Sequence, residues 1–365
     1  MFPYLIVFTV SIIVCCLYND RRKWIIIIPC LLLSLLAGFR DKGIGTDTLV
    51  YIDRYFSYAS QCKNISDIIN ADAFYDKGFL LLALIASLID NEIGIFYFII
   101  ELVILTFCFL AYYRLSKYYK ISLGVFMIVF LFLEYNYSLN AMRQLCAMSI
   151  VLFAFSYLIE KKWLIFSLWE LVSYFFHSSA IISLSLVVFV YISNIEKSNK
   201  RIILTFIIIG VAFLAVAFYS ILLNYFAVLD VFKSDYAERY QVNYYEGRGR
   251  VAFAPLGVSL IIYLIMYLFF KHCKENSKLV YCHFLVQTIY TFTLFLSLYN
   301  VYAYRIGLYF FMISILLFSV ELSSKRINNI EKICSFIVIV FYWFFNYVIN
   351  NNSETIPYTS KILGI

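Results

Sequence analysis

EIGIFYFIIELVILTFCFLAYY, residues 92–113, runs directly into a short loop with basic residues at Arg114, Lys117 and Lys120. Between its ends the stretch carries one charge, Glu101. A helix of this length spans roughly 33 Å, enough to cross a hydrocarbon core of about 30 Å. Similar apolar runs recur along the whole 365-residue chain, which is 64% hydrophobic and 14% charged. Soluble domains are about a quarter charged. The composition therefore predicts an all-α, polytopic transmembrane protein, folded as a single membrane domain over residues 1–365.

The expected spans are 2–18, 24–39, 92–113, 121–138, 141–159, 163–175, 178–193, 202–228, 253–270, 279–300, 305–322 and 333–350, about twelve crossings. The first is followed, not preceded, by Arg21-Arg22-Lys23. That is the reverse of a cleaved signal peptide, and the segment reads as a retained span. Residues 78–90 are apolar but only about 13 long, too short for an ordinary span, and read as an interfacial helix on the outer surface. Residues 163–193 allow two crossings only if both helices are short, or tilted and partly sunk. The turn at Phe176-His177-Ser178-Ser179 then lies below the outer surface, where polar backbone needs protein or water to satisfy it.

Charge sets the orientation. Six short loops, at 21–23, 114–120, 161–162, 197–201, 271–278 and 325–332, hold 17 of the 29 Lys and Arg residues. By the positive-inside rule these loops are cytoplasmic. Every interval between two of them then contains an even number of crossings. Both termini and the loops 40–77 and 229–252 face outward. The net charge of +7 is thus a topology signal and does not point to nucleic acid. The interval 40–77 reads as too short and irregular to hold much of a core. Of nine cysteines, most, such as Cys15, Cys16, Cys30, Cys108 and Cys334, fall in spans as small apolar packing residues. Only Cys62 sits in a clear outer loop, and no disulfide framework or zinc spacing is present.

Ionisable residues at spans are functional candidates by default, because a charge in hydrocarbon costs roughly 2.5–3.5 kcal/mol even on lenient scales. Arg40 ends the second span and opens Arg40-Asp41-Lys42-Gly43-Ile44-Gly45-Thr46-Asp47. Its glycines permit a tight turn with backbone amides near an anion. Without a strand–turn–helix unit around it, Gly43-Ile44-Gly45 is no nucleotide fingerprint. Arg143, in Asn140-Ala141-Met142-Arg143-Gln144, starts a span, where a headgroup-snorkelling arginine is the plain alternative. His177 lies in the short hairpin, and its imidazole can take a proton from a hydroxyl near neutral pH. A packed, hydrogen-bonded histidine is the competing reading. His272 lies in a basic cytoplasmic loop and His283 in the span just after it. Arg305 follows Tyr302-Ala303-Tyr304 at another outer span start. The 229–252 loop adds Asp235-Tyr236-Ala237-Glu238-Arg239-Tyr240, Arg248 and Arg250. Tyrosine beside arginine suits sugar stacking and phosphate contact, although tyrosine is also a routine interfacial residue. Glu101 and Glu170, inside spans, are candidate partners for the arginines. No set of three ligands points to a metal, and no cofactor motif is present.

Taken in order, several of these pieces resemble the EpsG family, related to the Wzy polysaccharide polymerases. They are Phe39-Arg40 through Gly45-Thr46-Asp47 to Tyr51, Asp76-Lys77-Gly78-Phe79, Asn140 to Gln144, Phe176-His177-Ser178, Arg305 and the tail Ile356-Pro357-Tyr358. The resemblance covers nearly the whole chain. It departs at Asp76, where family members often carry Glu before a Pro-Gly or similar turn, and no role is assigned there. The resemblance implies a GT-C-like, metal-independent glycosyltransferase that polymerises lipid-linked repeat units for O-antigen, capsule or exopolysaccharide. It places the enzyme in the bacterial cytoplasmic (inner) membrane with its active site facing the periplasm or cell exterior. The donor would be a glycan on undecaprenyl pyrophosphate and the acceptor a hydroxyl of the next lipid-linked unit. A chain-length regulator and other assembly proteins are the expected partners. Arginine suits such chemistry, because its fork pairs with phosphate oxygens and stays charged. On this reading Arg40, Arg143 and Arg305 face the pyrophosphate, and His177 abstracts a proton or orients the acceptor. Asp47, Tyr51, Gln144, Arg239, Tyr240 and Tyr304 bind substrate. The rivals are a lipid-linked oligosaccharide flippase, an O-antigen ligase-like transferase or membrane acyltransferase, and a non-catalytic scaffold. The absence of an internal repeat and the clustering of candidate charges at one face disfavour a transporter.

Overall fold

The computed structural model describes residues 1–19, 22–62, 64–72, 74–217, 253–272, 277–297 and 301–365. The expected loop 229–252 and the ends of the spans 202–228 and 279–300 lie outside them. Among the described residues every regular element is helical. The helices are α1 (Phe2–Cys16), α2 (Lys23–Gly38), α3 (Asp53–Ala59), α4 (Ile65–Ile69), α5 (Lys77–Ile89), α6 (Ile93–Leu115), α7 (Leu123–Ser138), α8 (Met142–Ile159), α9 (Trp163–Phe176), α10 (Ser178–Ser193), α11 (Ser198–Ala217), α12 (Phe253–His272), α13 (Ser277–Ser297), α14 (Val301–Ser323) and α15 (Asn329–Ile349). Each expected span falls on one of them. Six helices are long and apolar enough to cross a membrane by length and composition. They are supplemented by shorter apolar helices such as α1, α2 and α9. Helices are what an apolar chain needs in lipid, since each satisfies its own backbone. Leu164, Leu168, Leu171, Phe206, Leu260, Ile337 and Phe341 stand exposed on them, as suits a hydrocarbon solvent.

The described residues gather into two compact units, 1–180 with 319–365, and 181–318. In the first, α8 is the axis, buried at almost every position from Met142 to Leu158. It packs between α6 and α9, while α2 lies on α6 and α1 on α2 and α7. At one end of this unit the basic loops meet. Arg114 donates to Ser156 Oγ at 3.1 Å, pairs with Glu160 and lies over the Tyr157 ring. Lys162 pairs with the same Glu160. Lys23 sits 5.4 Å from the centre of the Tyr113 ring, and Ser323 caps the amide of Ser122. Four of the six basic loops therefore share one end, as the parity of crossings requires. In the second unit, Arg201 lies over the Tyr281 ring and Thr205 touches the Tyr281 hydroxyl, which sets the start of α11 beside the start of α13; residues 273–276 of the basic loop 271–278 lie outside the described residues. That unit is held by α12 on α13 and by α13 against α14. The Gly307–Thr293 approach in it leaves no room for a Cβ. His283 and Gln287 both bond Ser314 in its interior.

The opposite end of the first unit carries the candidate residues, and α5 belongs to it. Gly78, at the start of α5, is packed on Phe175 and Phe176 at the end of α9. Five residues past its other end, Gly94 packs on the carbonyl of Gly38 at the end of α2. A helix of 13 residues is about 20 Å long, yet both of its ends are level with the same mouth. α5 therefore lies along the surface as expected. It buries Phe79, Leu80, Ala83 and Leu84 while Leu81, Ile85, Leu88 and Ile89 stay exposed. The interval 40–77 differs from expectation. It folds as a π-turn (Thr48–Ile52) with α3 and α4, and buries Ile52, Tyr55, Phe56, Ala59 and Ile68. Its aromatic residues close a small core against α5 and α6, for example Tyr55 on Phe79 and Phe56 on Phe96.

Candidate active site

The site is built around the turn between α7 and α8, residues 139–141. No side chain caps the start of α8, so its partial positive end faces the mouth. Asn140 reaches the other way. Its Oδ1 accepts the amide of Asp47 at 2.8 Å and the Thr46 hydroxyl at 3.0 Å. Gly45, beside it, has φ +92°, and a Cβ there would meet Leu139 O and Thr48 Oγ1 at 2.9 Å. A left-handed backbone against another backbone is a position only glycine fills without strain.

The C-terminal tail locks this loop. Gly45 N–H donates to Glu354 O, Asp41 N–H to Thr359 O, and Lys361 N–H to Asp41 Oδ1, each at 3.0 Å. Tyr358 donates to Leu36 O at 2.9 Å. Thr355 accepts from Tyr4 through its carbonyl and from Asn136 through its hydroxyl. Trp343 in turn donates to Asn136. Burial pushes the Tyr358 phenol up to about 12. The Lys361 amide holds the Asp41 carboxyl below the usual carboxylate range.

Arg143, in the first turn of α8, is 9% exposed. Its guanidinium lies 4.6 Å from the centre of the Tyr51 ring. Its Nη1 donates to Asp76 Oδ2 at 3.0 Å and to the Tyr55 hydroxyl at 3.1 Å. The Asp76 amide donates to the same hydroxyl at 2.8 Å. Burial raises the Tyr55 phenol far above its ordinary value, so it stays a neutral donor and acceptor at any working pH. Asp76, given no role from sequence, is thus the carboxylate partner of Arg143. Tyr55 was also missed. Its signal was the four-residue spacing from Tyr51, which puts both rings on one face of a helical segment. Gln144 is buried beside Arg143.

Arg40 is brought to the same end by the Gly38–Gly94 crossing. There a Cβ on Gly94 would lie 2.6 Å from Gly38 O. The Arg40 guanidinium stacks 4.6 Å from the centre of the Tyr97 ring, and Nη2 lies 3.5 Å from Met142 Sδ. Met142 is the residue before Arg143, so the two arginines flank the start of α8. Arg40 is 4% exposed, and its Nε and Nη1 have no hydrogen-bond partner among the described residues. Two uncommitted donors on one buried guanidinium are rare in native structures.

His177 has extended backbone between α9 and the 3-10 turn Ser178–Ser185. Its Nδ1 accepts the Ser179 amide at 3.3 Å and lies 2.7 Å from Ser179 Oγ. An Nδ1 that accepts an amide hydrogen is unprotonated, so the neutral ring carries its proton on Nε2. The packing of Gly78 against Phe175 and Phe176 puts His177 and Asp76 within two residues of one inter-helix contact. Arg40, Arg143, His177, Asp47, Tyr51 and Gln144 therefore belong to one end of one unit. Arg305 and Tyr304 are half-buried near the start of α14 in the other unit. Arg239 and Tyr240 lie outside the described residues. Among the described residues no three His, Cys, Asp or Glu side chains gather as a metal site would require. Glu101 lies within the electrostatic reach of Arg40.

A family model described as the EpsG family matches residues 23–360, nearly the whole chain. No curated protein and no solved structure matches it. The apolar helices from α2 on, the glycine-bounded Arg40 loop, the Asn140–Arg143 turn and the docked tail as far as residue 360 fall within the matched residues, and the chain belongs to the EpsG family, whose members are Wzy-like polymerases.

Proposed function

We propose that this protein polymerises lipid-linked oligosaccharide units at the outer leaflet of the bacterial cytoplasmic membrane. It would transfer a glycan from undecaprenyl pyrophosphate to a hydroxyl of the next lipid-linked unit. The observation that carries the reading is the pair of buried arginines flanking the uncapped start of α8 at the mouth of a membrane bundle. A departing lipid pyrophosphate develops charge where it leaves the sugar. Guanidinium groups and a helix N-terminus held in a low-dielectric site stabilise such charge without reorganising. Arg143 is oriented by Tyr51, Tyr55 and Asp76, and Arg40 keeps two donors uncommitted. On residue chemistry alone, Arg305 is proposed for the pyrophosphate and Arg239 with the tyrosines of its loop for the sugars.

In the transfer, the acceptor oxygen bonds the anomeric carbon and the bond from that carbon to the phosphate oxygen breaks. The electron pair leaves with the pyrophosphate, and the acceptor proton must go to a base. His177 Nδ1 takes it through Ser179, whose hydroxyl already sits 2.7 Å away. The acceptor hydroxyl gives its proton to Ser179 Oγ as Ser179 gives its own to Nδ1. Proton transfers of this kind contribute about 10²–10⁴-fold.

The test is an assay of purified protein in lipid bilayers with a lipid-linked repeat unit, read as glycan chain length. Wild type should give a ladder of products. Arg143→Ala and His177→Ala should lose at least about a hundredfold in rate while inserting normally, and Ser179→Ala should follow His177→Ala. Full polymer from either inserted variant would refute the assignment. A flippase would move single units across the membrane without lengthening them, and loss of a ligase would leave long lipid-linked polymer.

A further inference from the structure

Among the described residues, four polar atoms near the mouth are buried without a hydrogen bond: Arg40 Nε and Nη1, the Tyr97 hydroxyl and Glu101 Oε1. They lie along one path. Arg40 stacks on Tyr97. Glu101 follows Tyr97 by four residues in α6, hence on the same helix face and about 6 Å deeper. Its other oxygen, Oε2, lies 2.8 Å from the Ser138 hydroxyl at the end of α7. Ser138 is two residues before Asn140, the residue that holds the Thr46–Asp47 backbone. Arg40 and Glu101 are 4% and 1% exposed, and each lies in the other's field. The other ionisable side chains coupled to Arg40 among the described residues are tyrosines, Tyr4, Tyr97, Tyr135 and Tyr358, which carry no charge at working pH. A buried guanidinium requires a counter-charge, and Glu101 is the carboxylate placed to supply it.

We propose that Glu101 is the counter-charge of Arg40 and a positioning residue for it. Pinned by Ser138, it holds the guanidinium inside the bundle with Nε and Nη1 uncommitted, so that phosphate oxygens of the donor meet donors already in place. This rests on the reading of Arg40 as a pyrophosphate ligand. It assigns the intramembrane acid a role distinct from proton transfer: it moderates the grip of Arg40 so that the pyrophosphate product can leave.

Two measurements test it. The first needs no ligand. Arg40→Met leaves Glu101 buried and unpaired and should lower the melting temperature in nanodiscs by about 5 °C or more. Adding Glu101→Gln should restore most of that loss. Additive losses in the double variant would overturn the pairing. The second uses farnesyl pyrophosphate as the probe. Glu101→Gln removes a like charge from the field of the anion, so the probe should bind on the order of tenfold more tightly. In turnover, KM for the donor and kcat should fall together. Glu101→Asp should bind as wild type does. A lesion that merely loosened the bundle would weaken binding, so unchanged or weaker binding by Glu101→Gln would also sink the proposal. Restored stability together with no probe binding by wild type would refute the polymerase reading and leave the Arg40–Glu101 pair standing.

Discussion

At the scale of single residues, Arg143 shows what a charge at a span start can hide. Its position marked it as a candidate, because a guanidinium there needs either headgroups or a partner. The partner was not legible, since Asp76 lies 67 residues away and departs from the family pattern. The ion pair exists because α5 lies flat and carries Asp76 to the foot of α8, a tertiary fact with no local signature. Removing one member of such a buried pair destabilises by about 3–5 kcal/mol. Asp76→Ala is expected to lower the melting temperature sharply and abolish polymer, as read by calorimetry and chain-length analysis. Tyr55→Phe is milder. It leaves the Asp76 amide and Arg143 Nη1 each short of an acceptor, at about 1–3 kcal/mol, and should raise donor KM more than it lowers kcat. Arg143→Lys keeps the charge but loses the planar fork stacked on Tyr51. It should remain folded and lose at least about tenfold in kcat/KM.

At the scale of elements, the helix count followed from hydropathy, and the flat placement of α5 from its shortness. The compact fold of residues 48–69 did not. Its buried face is made of Tyr55, Phe56 and Ile68, spaced among polar residues that resemble an ordinary loop. The tail was legible only as a family feature. Its grip is mostly on backbone, through Leu36, Asp41 and Gly45, and backbone partners leave no mark in side-chain pattern. Gly45→Ala would force a Cβ into the Leu139 carbonyl at a left-handed position. It is expected to release the Asn140–Asp47 contact and abolish activity, with tail amides exchanging hydrogen faster. Asp41 gives the tail a pH dependence of defined sign. Its folded pKa is depressed, so its contribution is present above the ordinary carboxylate range and is lost as pH falls through the lower folded value. Exchange at the Lys361 amide, relative to its intrinsic rate, should therefore accelerate only below about pH 4.

At the scale of the whole molecule, the first unit gathers its basic loops at one end and Arg40, Arg143 and His177 at the other. The parity of crossings was legible because lipid forces charge into loops. The identity of the pairs within each end was not, because hydrocarbon constrains only where charge is allowed, never which charge meets which. Orientation is directly testable. In a cysteine-free background, Asn352→Cys and Lys42→Cys should react with a membrane-impermeant maleimide on intact spheroplasts. Lys161→Cys and Lys325→Cys should react only after permeabilisation. Labelling of all four from one side would overturn the parity.

The flat helix α5 has one more consequence. Its inward face carries Phe79 toward Tyr55, and Leu81, Ile85, Leu88 and Ile89 stay exposed on the other side, an apolar face that a bilayer would meet with acyl chains. A helix so suspended takes its height from the lipid, and Asp76 rides at its leading edge. Acyl-chain length then becomes a dimension of the catalytic geometry. Thin and thick bilayers should set different turnover rates in an otherwise identical protein, and a detergent micelle, which has no leaflet plane, should leave Arg143 without a fixed reference.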